Sequence, residues 1–312
     1  MDSRAPRAIL YGLVAAFFFT SVYLFNRALV SGGGSWAWAV TLRFLLTLPC
    51  LALVVRRLGG LPGELKAHWP VWLLWSAVGF GGCGIGLAWG AANGPAWLTA
   101  GCFQTTIVAG PLLAPLIYRD RRGKISWPVL AIGGWILLGI AAMEAGRGER
   151  TPGWGDVPGI LAVLVAAFSY PLGNRKILLH LERTGTVLTP TQRVFGMTLM
   201  SLPLWFLLGA GTWAAQGPPS LREIGLCLGI AFFGGTIATV AFFHATQSVA
   251  SDPTALAAVE AMQAAELPIS AALGALFLGE AWPRGLAAWG AAAVLLGILF
   301  FERLSARSAK RL

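Results

Sequence analysis

The chain of 312 residues is 56% hydrophobic and only 12% charged, with mean hydropathy +0.70. That is about half the charge of a soluble domain, so the composition excludes one and is read as a polytopic membrane protein. The net charge of +10 does not indicate nucleic acid, because the basic residues sit in short clusters between apolar runs, where a positive-inside bias places them.

Apolar runs between charged or turn-rich breaks predict ten membrane-spanning helices, at 8–30, 35–55, 70–92, 96–117, 126–143, 157–179, 187–210, 223–247, 254–278 and 284–301. The first run, Ala8 to Val30, is too long for the apolar part of a signal peptide and lacks a small-residue cleavage site, so it is kept as a span. Abundant Gly and Ala suit close helix packing in lipid. Cys50, Cys83, Cys102 and Cys227 lie in apolar runs without a CxxC pair, and read as small core residues with no disulfide or metal site implied.

Of the 23 Lys and Arg residues, Arg43 and Arg193 fall within spans. With the N-terminus inside, the inner segments hold 16 of the others and the outer segments 5, namely Arg27, Arg147, Arg150, Arg222 and Arg284. Both termini are therefore expected on the cytoplasmic side.

The two halves repeat. Val14–Phe17 (VAAF) recurs at Val165–Phe168, Asn26-Arg27 as Asn174-Arg175, Arg43 as Arg193, and Gly81-Gly82 as Gly234-Gly235. Pro95 and Pro111 match Pro253 and Pro268, and Leu137–Ile140 matches Leu295–Ile298, all at offsets between 148 and 158. A co-linear set at nearly constant offset is strong evidence of an internal repeat. Residues 1–145 and 146–312 are thus read as two five-helix units. Five is odd, so the second unit must be inverted, which places a solute site near the midplane between the units.

The ninth span carries Glu260, Gln263 and Glu266. Steps of three residues keep them on one side of a helix, with Glu260 and Glu266 ~9 Å apart in depth. Intramembrane carboxylates are costly and face a cavity or partner, so the stripe reads as a proton or solute site; the competing reading is polar glue between helices. The repeat-related fourth span offers Gln104, Thr105 and Thr106 and no acid. Glu266, the deeper carboxylate, is the first choice for coupling. His244, on the eighth span, lies across a short turn near Asp252 from Glu260, at a similar depth of ~8–9 Å. The two form a candidate proton relay, against the plainer reading of a hydrogen-bonded structural histidine.

At these residues the chain resembles the drug/metabolite transporter superfamily in its ten-helix, EamA-like form. Leu278-Gly279-Glu280 before the Gly-containing tenth span is similar to that family's closing motif. Gly94–Leu116 (GPAWLTAGCFQTTIVAGPLLAPL) and Ala258–Gly274 (AVEAMQAAELPISAALG) resemble its multidrug resistance efflux branch. The resemblance covers nearly the whole chain and implies export of a small-molecule solute, such as an amino acid, metabolite or drug, across the inner membrane of a bacterium. The first-half equivalent of Glu280 is Asp120, followed by extra basic residues.

Arg43 and Arg193 either bind a solute carboxylate or serve structurally, by capping carbonyls, pairing with a buried acid or snorkelling. Asp120 and Glu280 are expected to anchor helix ends. Tyr23, Trp89, Trp97, Phe103, Phe168, Tyr170, Phe242 and Phe243 are candidates to line an aromatic pocket, with ordinary packing as the alternative for each. Trp36, Trp38, Trp69, Trp127, Trp154 and Trp282 suit an interfacial belt. Pro111, Pro171 and Pro268 mark expected kinks.

His68 and His180 are placed in cytoplasmic loops, and no HxxxxD, HExxH or GxSxG accompanies them, so an enzyme is disfavoured. No GxxxxGK[ST] loop supports an ATP-driven pump. The expectation is a secondary exporter needing no cofactor beyond a proton gradient and sufficient as a monomer. An uncoupled facilitator or lipid-moving protein of the same fold is the alternative.

Overall fold

The computed structural model describes residues 4–55, 57–119, 127–146, 157–249 and 258–309. Among them there is helix and no strand. The helices are α1 (Arg4–Ser31), α2 (Trp36–Val54), α3 (Leu61–Asn93), α4 (Ala96–Ile117), α5 (Trp127–Ala145), α6 (Val157–Thr184), α7 (Pro190–Gln216), α8 (Leu221–Ser248), α9 (Ala258–Leu278) and α10 (Gly285–Ala309). Nine are long and apolar enough to cross a membrane, and a shorter apolar helix, Leu130–Ala145 within α5, makes the tenth. Leu53, Leu116, Leu138, Leu207 and Phe277 are each 70% or more exposed. Their side chains form the apolar outer surface that lipid, unlike water, solvates.

The boundaries differ from the sequence reading chiefly at helix ends. The third helix starts at Leu61 rather than near 70, and Pro62 suits its first turn, where a missing N–H is harmless. The sixth runs on to Thr184. His68 and His180 therefore lie on helices, contrary to the loop placement. Charged and polar residues look like loop in the sequence, although a helix continues past the hydrocarbon as long as its backbone bonds are made.

Four helices are irregular, and the irregularities come in pairs. A π-helical segment interrupts α3 at Ala77–Gly82 and α8 at Ile230–Ala238, each over the Gly-Gly pair. In α4 the amides of Gln104, Thr105, Ile107 and Val108 bond three residues back, and α9 has a 3₁₀ turn at Met262–Ala265. The interruptions precede Pro111 and Pro268, and α6 runs through Pro171 as one helix. A further break falls at His68 (φ −128°, ψ 28°), just before Pro70.

The main packing pairs are α5 with α10, α2 with α7, α1 with α8 and α9, and α6 with α3 and α4. Where α3 crosses α6, Gly173 faces the Gly79 Cα and the Trp75 carbonyl so closely that a Cβ could not be placed there. One core centres on Tyr23, Trp97, Met143 and Leu267, and a second on Trp72, Ile177, Met197 and Trp205. Cys83, Cys102 and Cys227 are buried, Cys50 is partly buried, and none of the four is in a disulfide among the described residues. Trp69, Trp127 and Trp282 are exposed as a belt requires, whereas Trp38 is buried and donates to the Gly217 carbonyl at 3.2 Å. Trp154 lies outside the described residues.

At the end of the bundle opposite the termini, the Leu278-Gly279-Glu280 motif has a geometric explanation. Gly279 adopts the left-handed conformation (φ 64°) that ends α9, a conformation costly for any residue with a Cβ. The chain turns, the Glu280 amide donates back to the Gly274 carbonyl at 3.1 Å, and the side chain swings over the start of α4. There the Ala96 amide, an otherwise unpaired N-terminal donor, bonds the carboxylate at 3.0 and 3.1 Å. Arg27 of α1 completes the cluster, with Nε 3.3 Å from Glu280 Oε1. Burial pushes the Glu280 carboxyl above its ordinary range, while the Ala96 amide and Arg27 pull it back. Asp120 lies outside the described residues.

Candidate functional site

The interruption in α9 determines what the site contains. The 3₁₀ turn at Met262–Ala265 winds more tightly than an α-helix and hands over to a new α-helix at Glu266. Glu266 is 6% exposed, and the Tyr23 hydroxyl of α1 donates to its Oε2 at 2.7 Å. That is a short, charge-assisted geometry when the carboxylate is ionised.

Gln104 stands at the matching interruption of α4. Its side-chain Nε2 donates to the Gln263 backbone carbonyl at 3.3 Å, and the Gln263 side-chain Nε2 donates to the Gly12 backbone carbonyl of α1 at 3.4 Å. The two interrupted helices are therefore tied to each other and to α1 at their breaks. Beside Gln104, the buried hydroxyls of Thr105 and Thr106 have no hydrogen-bond partner among the described residues. The structure thus brings together Glu266, Gln263, Gln104 and Tyr23 from the sequence-derived set.

A run of rings leads away from this point. Tyr23 neighbours Phe103 (centroids 6.5 Å), Phe103 neighbours Tyr170 (6.4 Å), and Tyr170 stacks with Phe80 (6.5 Å). Phe80 lies 5.7 Å from Phe44, which stacks on Trp205 at 4.4 Å. The Arg43 guanidinium lies 5.2 Å from the Phe44 centroid and within electrostatic range of Tyr23, Cys83 and Tyr170. Arg193 reaches Tyr170 in the same way, and its Nε is buried without a hydrogen-bond partner. Neither arginine pairs with an acid among the described residues, so the pairing version of their structural role is not met. Phe44, Phe80 and Trp205 were not singled out in the sequence. Ring neighbours drawn from α2, α3 and α7 leave no local spacing signal.

Other candidates lie apart. His244 is exposed and packs edge-on against Tyr11 of α1 at 5.0 Å. It forms no ion pair or hydrogen bond with Glu260, so the relay expected between them is not assembled in this conformation. Depth arithmetic does not fix helix rotation, and here the His244 ring packs on Tyr11. Glu260 is exposed, with the buried Glu302 of α10 in electrostatic range. Glu302 was missed because it falls just past the predicted end of the tenth span. Trp89 sits edge-on to Trp36 at 5.1 Å, away from the Tyr23 ring run. Trp97 is fully within the core, Phe168 is half-buried, and Phe242 bridges to Phe19 at 6.3 Å and to Phe243 at 6.2 Å.

Among the described residues, nine long apolar helices and one shorter carry a polar break between α4 and α9, an arrangement that suits a membrane transporter, and the family match gives the class as drug/metabolite transporter. The chain belongs to the family described as "Putative multidrug resistance efflux transporter" (EmrE), which it matches over residues 6–307. It is 39% identical over 306 residues to the uncharacterized protein YjlA of Bacillus subtilis (strain 168), covering 94% of this chain and 93% of the relative. It is 36% identical over 282 residues to an uncharacterized 42.1 kDa protein of Shouchella clausii, covering 86% and 72% respectively. A solved crystal structure superposes with TM-score 0.58 at 18% identity, over 96% of this chain and 98% of the other, which is a likeness of fold alone.

Proposed function

We propose that this protein is a secondary exporter of small organic molecules, working by alternating access across a bacterial inner membrane and coupled to protons. The observation that carries this reading is the buried Glu266 carboxylate, held by the Tyr23 hydroxyl at 2.7 Å where α9 is interrupted. A carboxylate at such a place is costly unless it is paired or exchanges its charge for a proton or a cationic solute. Ionised, Glu266 accepts from Tyr23; protonated, it becomes a donor itself. The change in charge and bonding falls where α4, α9 and α1 are tied together. A proton bound there shifts the balance between two conformations by its differential interaction with them.

The pairing of irregularities supports two inverted halves, residues 1–145 and 146–312. π segments fall in α3 and α8, and tightened turns in α4 and α9. Asn26 and Asn174 each donate to the carbonyl four residues back, at 2.7 and 3.0 Å. Packing of α1 on α8 and α9 is mirrored by α6 on α3 and α4. Rocking of such halves alternately opens the site to either side. The ring run from Tyr23 to Trp205, with Arg43 and Arg193 beside it, suits an amphipathic organic solute bearing an anionic group. Both termini face the cytoplasm in this arrangement, and a monomer supplies both halves.

The test is solute-driven proton movement in proteoliposomes under an imposed pH gradient, screened over amino acids, organic cations and organic anions. Coupled movement that disappears in Glu266→Gln upholds the reading. Transport with unchanged gradient dependence in that variant makes the protein an uncoupled facilitator and Glu266 a structural group.

A further inference from the structure

Two of the three histidines in the chain converge far along the sequence from each other. Glu64 and His68 are four residues apart on the first turns of α3, and His180 lies near the end of α6. His68 Nδ1 is 3.2 Å and His180 Nε2 is 2.8 Å from Glu64 Oε1, and one ligating atom from each of the three lies within 4.8 Å of the others. The two imidazole rings meet edge-on with centroids 4.7 Å apart.

The geometry points to a divalent-cation site formed by Glu64, His68 and His180, one that takes Zn²⁺ or a similar borderline ion. Two imidazoles and a carboxylate are a donor set that such ions favour, with a fourth position left for water. Tetrahedral coordination at about 2.0–2.2 Å spaces ligand atoms about 3.3–3.5 Å apart. The 2.8 and 3.2 Å contacts to Glu64 Oε1 therefore lengthen to admit an ion, while the three ligand atoms already lie within 4.8 Å of one another.

Three observations separate the cluster from an ordinary carboxylate–histidine contact. First, Glu64 is only 6% exposed, and it is held by groups that do not compete for a metal: Trp72 Nε1 donates to Oε1 at 3.3 Å and the Thr186 hydroxyl to Oε2 at 3.0 Å. Such outer donors orient a ligating carboxylate. Second, His68 Nδ1 is buried without a well-formed hydrogen bond, and it faces the cluster. Third, His68 is the residue at which α3 leaves helical geometry (φ −128°, ψ 28°). Its side chain is 38% exposed, which gives an ion a route from the aqueous end of the bundle.

Bound there, the ion joins the start of α3 to the end of α6, next to the turn at Thr186 that leads into α7. On the transporter reading proposed above, the staple restrains rocking and slows exchange; the binding itself does not depend on that reading.

The test uses full-length protein in detergent, purified without a polyhistidine tag and stripped with chelator, then titrated with Co²⁺ and with Zn²⁺. One Co²⁺ per chain is expected, with the visible absorption of a four-coordinate N/O site, displaced by one equivalent of Zn²⁺. His68→Ala and His180→Ala should each weaken binding by tenfold or more, and His244→Ala should leave it unchanged. Thermal unfolding of each variant without metal confirms that it is folded; His68→Gln replaces any alanine variant that is not. Absence of saturable binding to the wild type overturns the proposal, as does binding that survives loss of both histidines. Either result leaves a hydrogen-bonded contact between α3 and α6 only.

Discussion

Arg27 and Glu280 stand 253 positions apart and meet with Nε 3.3 Å from Oε1, over the first turn of a third helix. The contact joins α1, the α9–α10 turn and the start of α4, because the same carboxylate accepts from the Ala96 amide. Replacing Glu280 by Gln removes the charge and sets an amide group against a cation and an N–H. The expected cost is about 1–3 kcal/mol, the range for a hydrogen bond to a charged group that loses its partner. Thermal unfolding in detergent reads this directly, and an unchanged midpoint would show that the cluster ties nothing together.

Tyr23→Phe removes one hydroxyl and little volume. If Glu266 couples protons, losing its donor should reduce coupled transport about tenfold, in line with about 1.5 kcal/mol for a charge-assisted bond. Glu266→Gln should abolish coupling altogether. Parallel proteoliposome assays distinguish the two, and equal, undiminished rates in both variants would remove this pair from the mechanism.

His244→Gln is expected to leave coupling within about twofold of wild type, because its ring rests on Tyr11 and makes no bond to Glu260. A loss comparable to that of Glu266→Gln would mean that the relay forms in another conformation of the cycle.

Two glycines give opposite outcomes. At Gly173 a methyl group would run into the backbone of Gly79 and Trp75, so Gly173→Ala should destabilise by about 1–3 kcal/mol through forced separation of α3 and α6. At Gly211, on α7, nothing lies within 4 Å, and Gly211→Ala should be neutral or stabilising by up to about 1 kcal/mol. Melting temperatures of the two variants, measured side by side, check the packing of α3 on α6.

Much of the architecture was legible because a bilayer demands long apolar helices, and that demand is written into composition. Glu266 stood out for the same reason: a carboxylate in an apolar run is conspicuous wherever it points. Tyr23 was noted only as one aromatic among several, since its hydrogen bond spans 243 residues. The ends of helices were less readable. Glu302, Glu64, His68 and His180 lie where polar residues look like loop, although the helices continue through them.

The sequence by itself determined the number and class of the helices, the signs of an internal repeat, and the acids and arginines that lie within spans. Each follows from the cost of leaving backbone groups or charge in hydrocarbon. Only the tertiary structure decided which of those side chains meet. Rotation of each helix about its axis is set by packing against its neighbours, as where Gly173 admits the Gly79 backbone. That rotation brought Tyr23 to Glu266, turned His244 toward Tyr11, and gathered Glu64, His68 and His180 at one end of the bundle.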